Sequence, residues 1–495
     1  MRRGGGRGSS SSGISWCYWL LLLLWILVAI WFIFLYQFHF QSIKKAGIAL
    51  PTALEMKAAL RKGGGQKTIV INDTTDADTK IDLILQYQDA PFHVVFSTDC
   101  SFFQSWQSLM LFYSATQVKQ QGAITRIASG CDEAAKNELR DLYKKLYPGG
   151  QFNVHFTPDF KHDGKSGKKY DFYNKPYGME HWLENAHPPV TDGSIVALID
   201  PDMIFLRPLT AKVAGNENNI YLHYTESKLK DPKRKFKEEL VPTRVERGQP
   251  VAQIYGLGAP WAAKSGRAST NFNRTEVCGA DSACLKVDIP FGEEFFSVGP
   301  PYLVERSDMY RITKTWTRMV PKVYSRYPEL LAEMYAYSMA AAHERLPHFT
   351  MRQYMLSNTE MDEEGWKWVD QLGDRVCEPA VDGIYYPGKT MATIFHYCQF
   401  FRAGEFGFQK RRVNKNFFKC DAPLLVEPPQ DLGKINYKNR DGDIIKLTQK
   451  QARRNAFSLC VISTAINNML VDYKEKMCGH DFNTTRSVNL ANIKY

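Results

Sequence analysis

The chain has 495 residues, 44% of them apolar, 23% charged and 13% aromatic, with a formal net charge of +11. That is enough apolar and aromatic material for a large packed core, which excludes a disordered tail protein, and the basic excess is too small for a histone-like arm. No collagen period, heptad array or solenoid repeat appears, so the length predicts about three domains or one large enzyme domain with appendages.

Residues 1–13 are small, polar and basic, and read as a cytosolic tail. The run Ile14–Tyr36 is uncharged and 23 residues long. A helix of that length spans about 35 Å, enough to cross a bilayer core, and it is too long and bulky for a cleaved signal peptide. It predicts an uncleaved signal anchor of type II orientation, with the rest of the chain luminal. Three N-x-S/T sequons, at Asn72, Asn273 and Asn483, and nine of the ten cysteines lie beyond it. No C-x-x-C pair occurs, so disulfides in an oxidising lumen are expected rather than a zinc ribbon, with Cys278 and Cys284 close enough to close a small loop. The odd cysteine count leaves a spare thiol.

Residues 37–90, with RKGGGQK and NDTTDADTK, read as a polar stem. From Phe92 the pattern changes. FHVVFST (Phe92–Thr98) predicts a strand, Trp106–Gln121 a helix, AITRIAS (Ala123–Ser129) a second strand and Ala134–Pro148 a second helix. FNVHFTP predicts a third strand. YNKPYGMEHWLENA predicts a helix capped by Asn174, with Pro176 in its first turn, and SIVALI (Ser194–Ile199) a strand buried on both faces. This alternation predicts an α/β fold with a mostly parallel central sheet, whose ligands bind beyond the carboxyl ends of the strands. Two basic runs, Lys228–Lys237 and Gln409–Lys419, read first as solvated loops and second as contacts for an acidic ligand such as a nucleotide diphosphate. Nucleic acid is disfavoured in a lumen.

Directly after the fourth predicted strand stands Asp200-Pro201-Asp202. Two other D-x-D triplets, Asp76/Asp78 and Asp441/Asp443, lie in polar stretches. Pro201 stiffens the turn, so Asp200 and Asp202 form a fixed carboxylate pair suited to Mg²⁺ or Mn²⁺ with a diphosphate. Gly383–Thr390 matches the P-loop spacing, but no strand–loop–helix context surrounds it, and it reads as a turn. His396, in IFHYC, is a lone histidine among apolar residues.

The ordered blocks STDC, WQSLMLFYS, ITRIASG, YNKPYGMEHWL, IDPDMIFLRP, LAEMYAYSMAAAH and FHYC resemble the plant and algal peptidyl O-glycosyltransferases. Those are the hydroxyproline O-arabinosyltransferases and the peptidyl-serine α-galactosyltransferases. The resemblance implies a GT-A (Rossmann-like) nucleotide-sugar domain at 91–420 and leaves 421–495 as a C-terminal extension. It implies a Golgi (or ER) membrane enzyme that moves a sugar, with retention, from a UDP-sugar to a secretory peptide or glycoprotein. L-arabinofuranose on hydroxyproline is the first expectation, galactose on serine the alternative; a non-catalytic lectin or scaffold is the competing class. Carried over, Asp200, Asp202 and His396 would hold Mn²⁺ (or Mg²⁺), with Asp200, Asp202 and Glu333 as the catalytic set. Thr98 and Asp99 would face the uridine, Arg126 and Lys175 the phosphates; Glu293 and Glu294 are weaker candidates. The triplet Asp-Pro-Asp stands between the Glu-Pro-Asp of arabinosyl members and the Asp-Ala-Asp of galactosyl members.

Overall fold

A computed structural model describes residues 91–492, apart from internal stretches of which the longest are 213–243, 264–272, 379–391 and 429–435. The chain divides into two units, Met1–Thr68 and Ile69–Tyr495, and every described residue belongs to the second. The predicted tail, anchor and stem, the Lys228–Lys237 run, the Asp441/Asp443 triplet and the Gly383–Thr390 turn lie outside the described residues.

The elements run β1 (Phe92–Asp99), α1 (Phe102–Gln117), β2 (Ala123–Ser129), α2 (Glu133–Leu146), β3 (Phe152–Thr157), α3 (Asn174–Asn185), β4 (Ile195–Ile199), β5 (Met203–Phe205) and β6 (Val251–Ile254). Then come α4 (Arg274–Cys278), α5 (Ile289–Phe295), β7 (Val298–Glu305), α6 (Arg306–Arg326), α7 (Ala332–His343), β8 (Phe349–Met351) and β9 (Met355–Leu356). After these follow α8 (Lys367–Asp370), β10 (Ile394–His396), β11 (Phe401–Ala403), β12 (Phe406–Phe408) and, beyond short further strands, α9 (Gln449–Cys478).

Seven strands form the main sheet in the order β3-β2-β1-β4-β7-β6-β8. β3, β2, β1 and β4 are mutually parallel, β7 runs antiparallel to both β4 and β6, and β8 is parallel to β6. The mostly parallel α/β sheet expected from the strand–helix alternation is therefore present. Side-chain alternation divides the core. Val94, Phe96, Ala197 and Ile199 pack on one face with α1 and α9, while Val95, Val196 and Leu198 pack on the other with α3, α6 and α7. Strands covered on both faces must be apolar at every position, which explains the unbroken IVALI run.

Local chemistry sets the helix ends. Ser101 caps α1 through Gln104 N–H and Asp132 caps α2 through Ala135 N–H. These caps start both helices ahead of the sequence expectation. Asn174 is a further correction: it lies inside helical geometry, preceded by a turn at Asp171–Tyr173, and gives α3 no side-chain cap. Its carboxamide instead accepts from Phe160 N–H at 2.8 Å, pinning the loop after β3. Pro176 does sit in the first turn, where a missing N–H costs nothing.

The 421–495 segment joins this core. α9 opens on a Thr448–Gln451 capping box and buries Phe457, Ile462, Ile466 and Leu470 in the cluster that holds Val94 and Phe96. It is long and apolar enough to cross a membrane, yet 78% of its most apolar window is buried in the protein, as in a core helix. Cystines Cys377–Cys460 and Cys420–Cys478 tie α9 to the rest, Cys100–Cys131 joins the ends of β1 and β2, and Cys278–Cys284 closes the expected small loop. Among the described cysteines Cys398 is the unpaired one.

Candidate active site

β4 carries the chain to Ile199, and the Asp200-Pro201-Asp202 turn leaves the sheet at the carboxyl end of its parallel half. The chain then enters β5, which belongs to a second, three-stranded sheet with order β5-β10-β9. β10 runs antiparallel to β5 and pairs His396 with Met203. That register lays His396 beside the acids: Tyr397 N–H donates to the Asp202 carbonyl at 3.1 Å, and His396 Nε2 lies 3.1 Å from Asp202 Oδ1. One ligand atom each from Asp200, Asp202 and His396 falls within 4.8 Å of the others. Two carboxylates and an imidazole at that spacing can hold a divalent cation.

Two lysines complete the charge balance. Lys175, in the first turn of α3, is buried with its Nζ 2.8 Å from Asp200 Oδ1 and 2.8 Å from Glu333 Oε1. α3 reaches this position because Gly178 leaves room for Ile127, and because Ser97 Oγ donates to the Asn174 carbonyl. Glu333 is buried near the start of α7, where its backbone N–H donates to Tyr170 Oη at 3.1 Å. Lys410, just beyond β12, donates from Nζ to Asp202 Oδ2 at 2.5 Å.

These contacts decide protonation. Burial pushes Asp202 up, but the His396 and Lys410 charges outweigh it and hold its carboxyl well below the usual range. Burial works against the His396 imidazolium, yet neighbouring Cys398 and Asp202 raise it well above the usual histidine value. Lys175 and Lys410 are likewise raised against burial, by Asp200 with Glu333 and by Asp202 respectively. Glu333 moves up, because burial there exceeds the pull of Lys175.

Two ionic chains, Glu333–Lys175–Asp200 and His396–Asp202–Lys410, are thus brought side by side where Asp200, Asp202 and His396 meet. Arg126 is part of neither. Its guanidinium is fully enclosed and donates to Thr98 Oγ1, Tyr143 Oη, the Asp99 carbonyl and Ser105 Oγ. Thr98 also donates to the Ile127 carbonyl at 2.9 Å. Both side chains brace the carboxyl end of β1 from within, in the place where the resemblance implies a uridine and a phosphate contact. Asp99 is partly open; its Oδ1 accepts from Ser101 N–H and its Oδ2 lies 3.5 Å from Lys161 Nζ. Glu293 and Glu294 sit on α5, apart from the Asp200–Asp202–His396 group.

Sequence reasoning passed over Lys410 and Tyr255. Lys410 lies at the head of the Gln409–Lys419 run, and a single lysine paired with Asp202 cannot be told there from its neighbours in the sequence. Tyr255 directly follows β6, and its Oη lies 3.5 Å from His396 Nδ1.

The model of the hydroxyproline O-arabinosyltransferase family N-terminal domain matches residues 92–254. A peptidyl serine alpha-galactosyltransferase of Arabidopsis thaliana is 25% identical over 385 residues, which cover 74% of this chain and 37% of that protein. One of Chlamydomonas reinhardtii is 31% identical over 123 residues, 25% of this chain and 15% of that protein. The chain therefore spans well under half the length of the curated relatives it matches. The resemblance read from the ordered blocks is borne out by these matches.

Proposed function

We propose that this chain, which carries a hydroxyproline O-arabinosyltransferase family domain, is a metal-dependent peptidyl O-glycosyltransferase that uses a UDP-sugar. The observation that carries the reading is the meeting of Asp200, Asp202 and His396 at the carboxyl end of β4. The donor set fits a hard divalent ion, Mn²⁺ or Mg²⁺, and Lys410 already places a cation on Asp202. When bound, such an ion would supply charge neutralisation for a diphosphate.

The chain's own residues do the rest. The acceptor hydroxyl oxygen bonds to the anomeric carbon on the face from which the diphosphate departs. The carbon–oxygen bond to phosphate breaks, and the hydroxyl proton passes to the departing phosphate oxygen. Lys410 stabilises the negative charge that develops there. Lys175 holds Asp200 and Glu333 in place, with Glu333 on the sugar side. Asp99 lies where the uridine is received, at the carboxyl end of β1, and Thr98 with Arg126 keeps that end rigid.

The preferred transfer is L-arabinofuranose to hydroxyproline, supported by the family domain. Galactose to serine is the second reading, favoured by the two relatives named for that activity. The place of action is a Golgi or ER membrane of type II orientation. The uncharged run at 14–36 and the four cystines of an oxidising compartment support it.

Full-length protein in detergent, given UDP-arabinofuranose or UDP-galactose with hydroxyproline or serine peptides, tests the reading. Expected is sugar transfer to one peptide class, lost with EDTA and restored by Mn²⁺. Absence of both transfer and UDP release with every pair would favour the lectin class instead.

A further inference from the structure

We infer that Tyr255 is a positioning residue for the cation site, orienting His396 so that Nε2 faces the two carboxylates, and that Gly299 is the gap that admits it. The inference rests on the metal reading above.

Tyr255 reaches the site through a break in sheet pairing. β6 and β7 pair Ala252 with Tyr302 and then Gln253 with Gly299, so Pro300 and Pro301 are passed over. Proline has no ladder donor to offer, and a register change there redirects the strand that follows. Tyr255 is then clamped at its backbone: its N–H donates to the Ser297 carbonyl at 2.9 Å, and its own carbonyl accepts from Ser297 Oγ at 2.7 Å. Its ring packs against Gly299 of β7. A Cβ at Gly299 would stand 2.2 Å from Tyr255 Cδ2 and 2.6 Å from Cε2, so no other residue at 299 permits this placement.

The ring so held aims its hydroxyl at His396 Nδ1, 3.5 Å away, while Nε2 faces Asp202 Oδ1. A metal-ligating imidazole keeps its proton on the nitrogen turned from the metal and donates it to an acceptor. A tyrosine hydroxyl can accept that proton and still donate its own. The contact is long for a hydrogen bond, as such contacts often are before ligand binds.

Mn²⁺ titration of the purified, metal-free full chain by calorimetry tests this, beside the melting temperature of each metal-free variant. Tyr255→Phe keeps the ring and removes the hydroxyl; it should weaken Mn²⁺ binding about tenfold with the melting temperature unmoved. Gly299→Ala should weaken binding in the same direction by displacing the ring. The double variant should bind no more weakly than the weaker single one, because both act through one contact. Binding by Tyr255→Phe within twofold of the unaltered chain overturns the inference, as does a fall in melting temperature that accompanies the loss. Additive losses overturn the part given to Gly299. Failure of the unaltered chain to bind Mn²⁺ overturns the metal reading itself.

Discussion

Asp202 and His396 are 194 residues apart in the chain and 3.1 Å apart in the fold. The contact exists because β5 and β10 pair antiparallel, so a turn at the end of one sheet meets a strand of another. Both oxygens of Asp202 are engaged, one by His396 and one by Lys410. A cation entering here must therefore compete with Lys410.

That competition gives Lys410→Ala two effects of opposite sign. Mn²⁺ should bind more tightly, since a positive charge leaves Asp202 Oδ2. Sugar transfer should fall about 100-fold in kcat, since the departing diphosphate loses its cation. Calorimetry and a transfer assay on the same preparation check the pair. Parallel changes in both would contradict the assignment.

Lys175 neutralises two acids at once, the buried Glu333 and the half-buried Asp200. Lys175→Met should destabilise the fold by about 3 kcal/mol, a drop of about 5 °C in melting temperature, because Glu333 is left buried without its partner. Adding Glu333→Gln should recover part of that loss, since the uncompensated charge goes with it. Differential scanning calorimetry of the single and double variants decides.

Acid should loosen the protein through histidines that the fold keeps neutral. The half-buried His93 and the fully buried His348 are held neutral, their values lowered by desolvation to about 4 and about 3. In the unfolded chain each takes up a proton near pH 6.5, but the folded chain refuses it. The contribution of these two histidines to stability is therefore complete above about pH 6.5 and falls as pH drops towards 4, by up to about 1.4 kcal/mol per pH unit for each. His93→Gln should flatten that slope by one proton's worth, measured by denaturant melts between pH 7 and 4.5.

Alkylation of the native protein followed by peptide mapping should label Cys398 among the cysteines from Cys100 to Cys478. The eight in cystines should react only after reduction.

The legible part of the site was local. An apolar run ending in Asp-Pro-Asp identified β4 and its turn, because a doubly covered strand and a stiffened acid pair both leave marks within a dozen residues. His396 carried no such mark; the family blocks singled it out, and only the β5–β10 register explains its place. Lys410 was hidden because its partner lies 208 residues away and its neighbours are also basic. Arg126 is the converse case. A charge at a strand end suggests a ligand, but here Thr98, Tyr143, Ser105 and the Asp99 carbonyl satisfy it inside the core. The opening of α3 shows the same limit: Asn174 has the composition of a cap, and the loop at Phe160 claimed its side chain instead.

The most direct test is the Asp200→Asn/Asp202→Asn double variant, which keeps side-chain shape and removes both charges. It should retain the circular-dichroism spectrum of the unaltered chain, bind no Mn²⁺ and transfer no sugar from either UDP-sugar. Transfer at the unaltered rate by that folded variant would contradict the account.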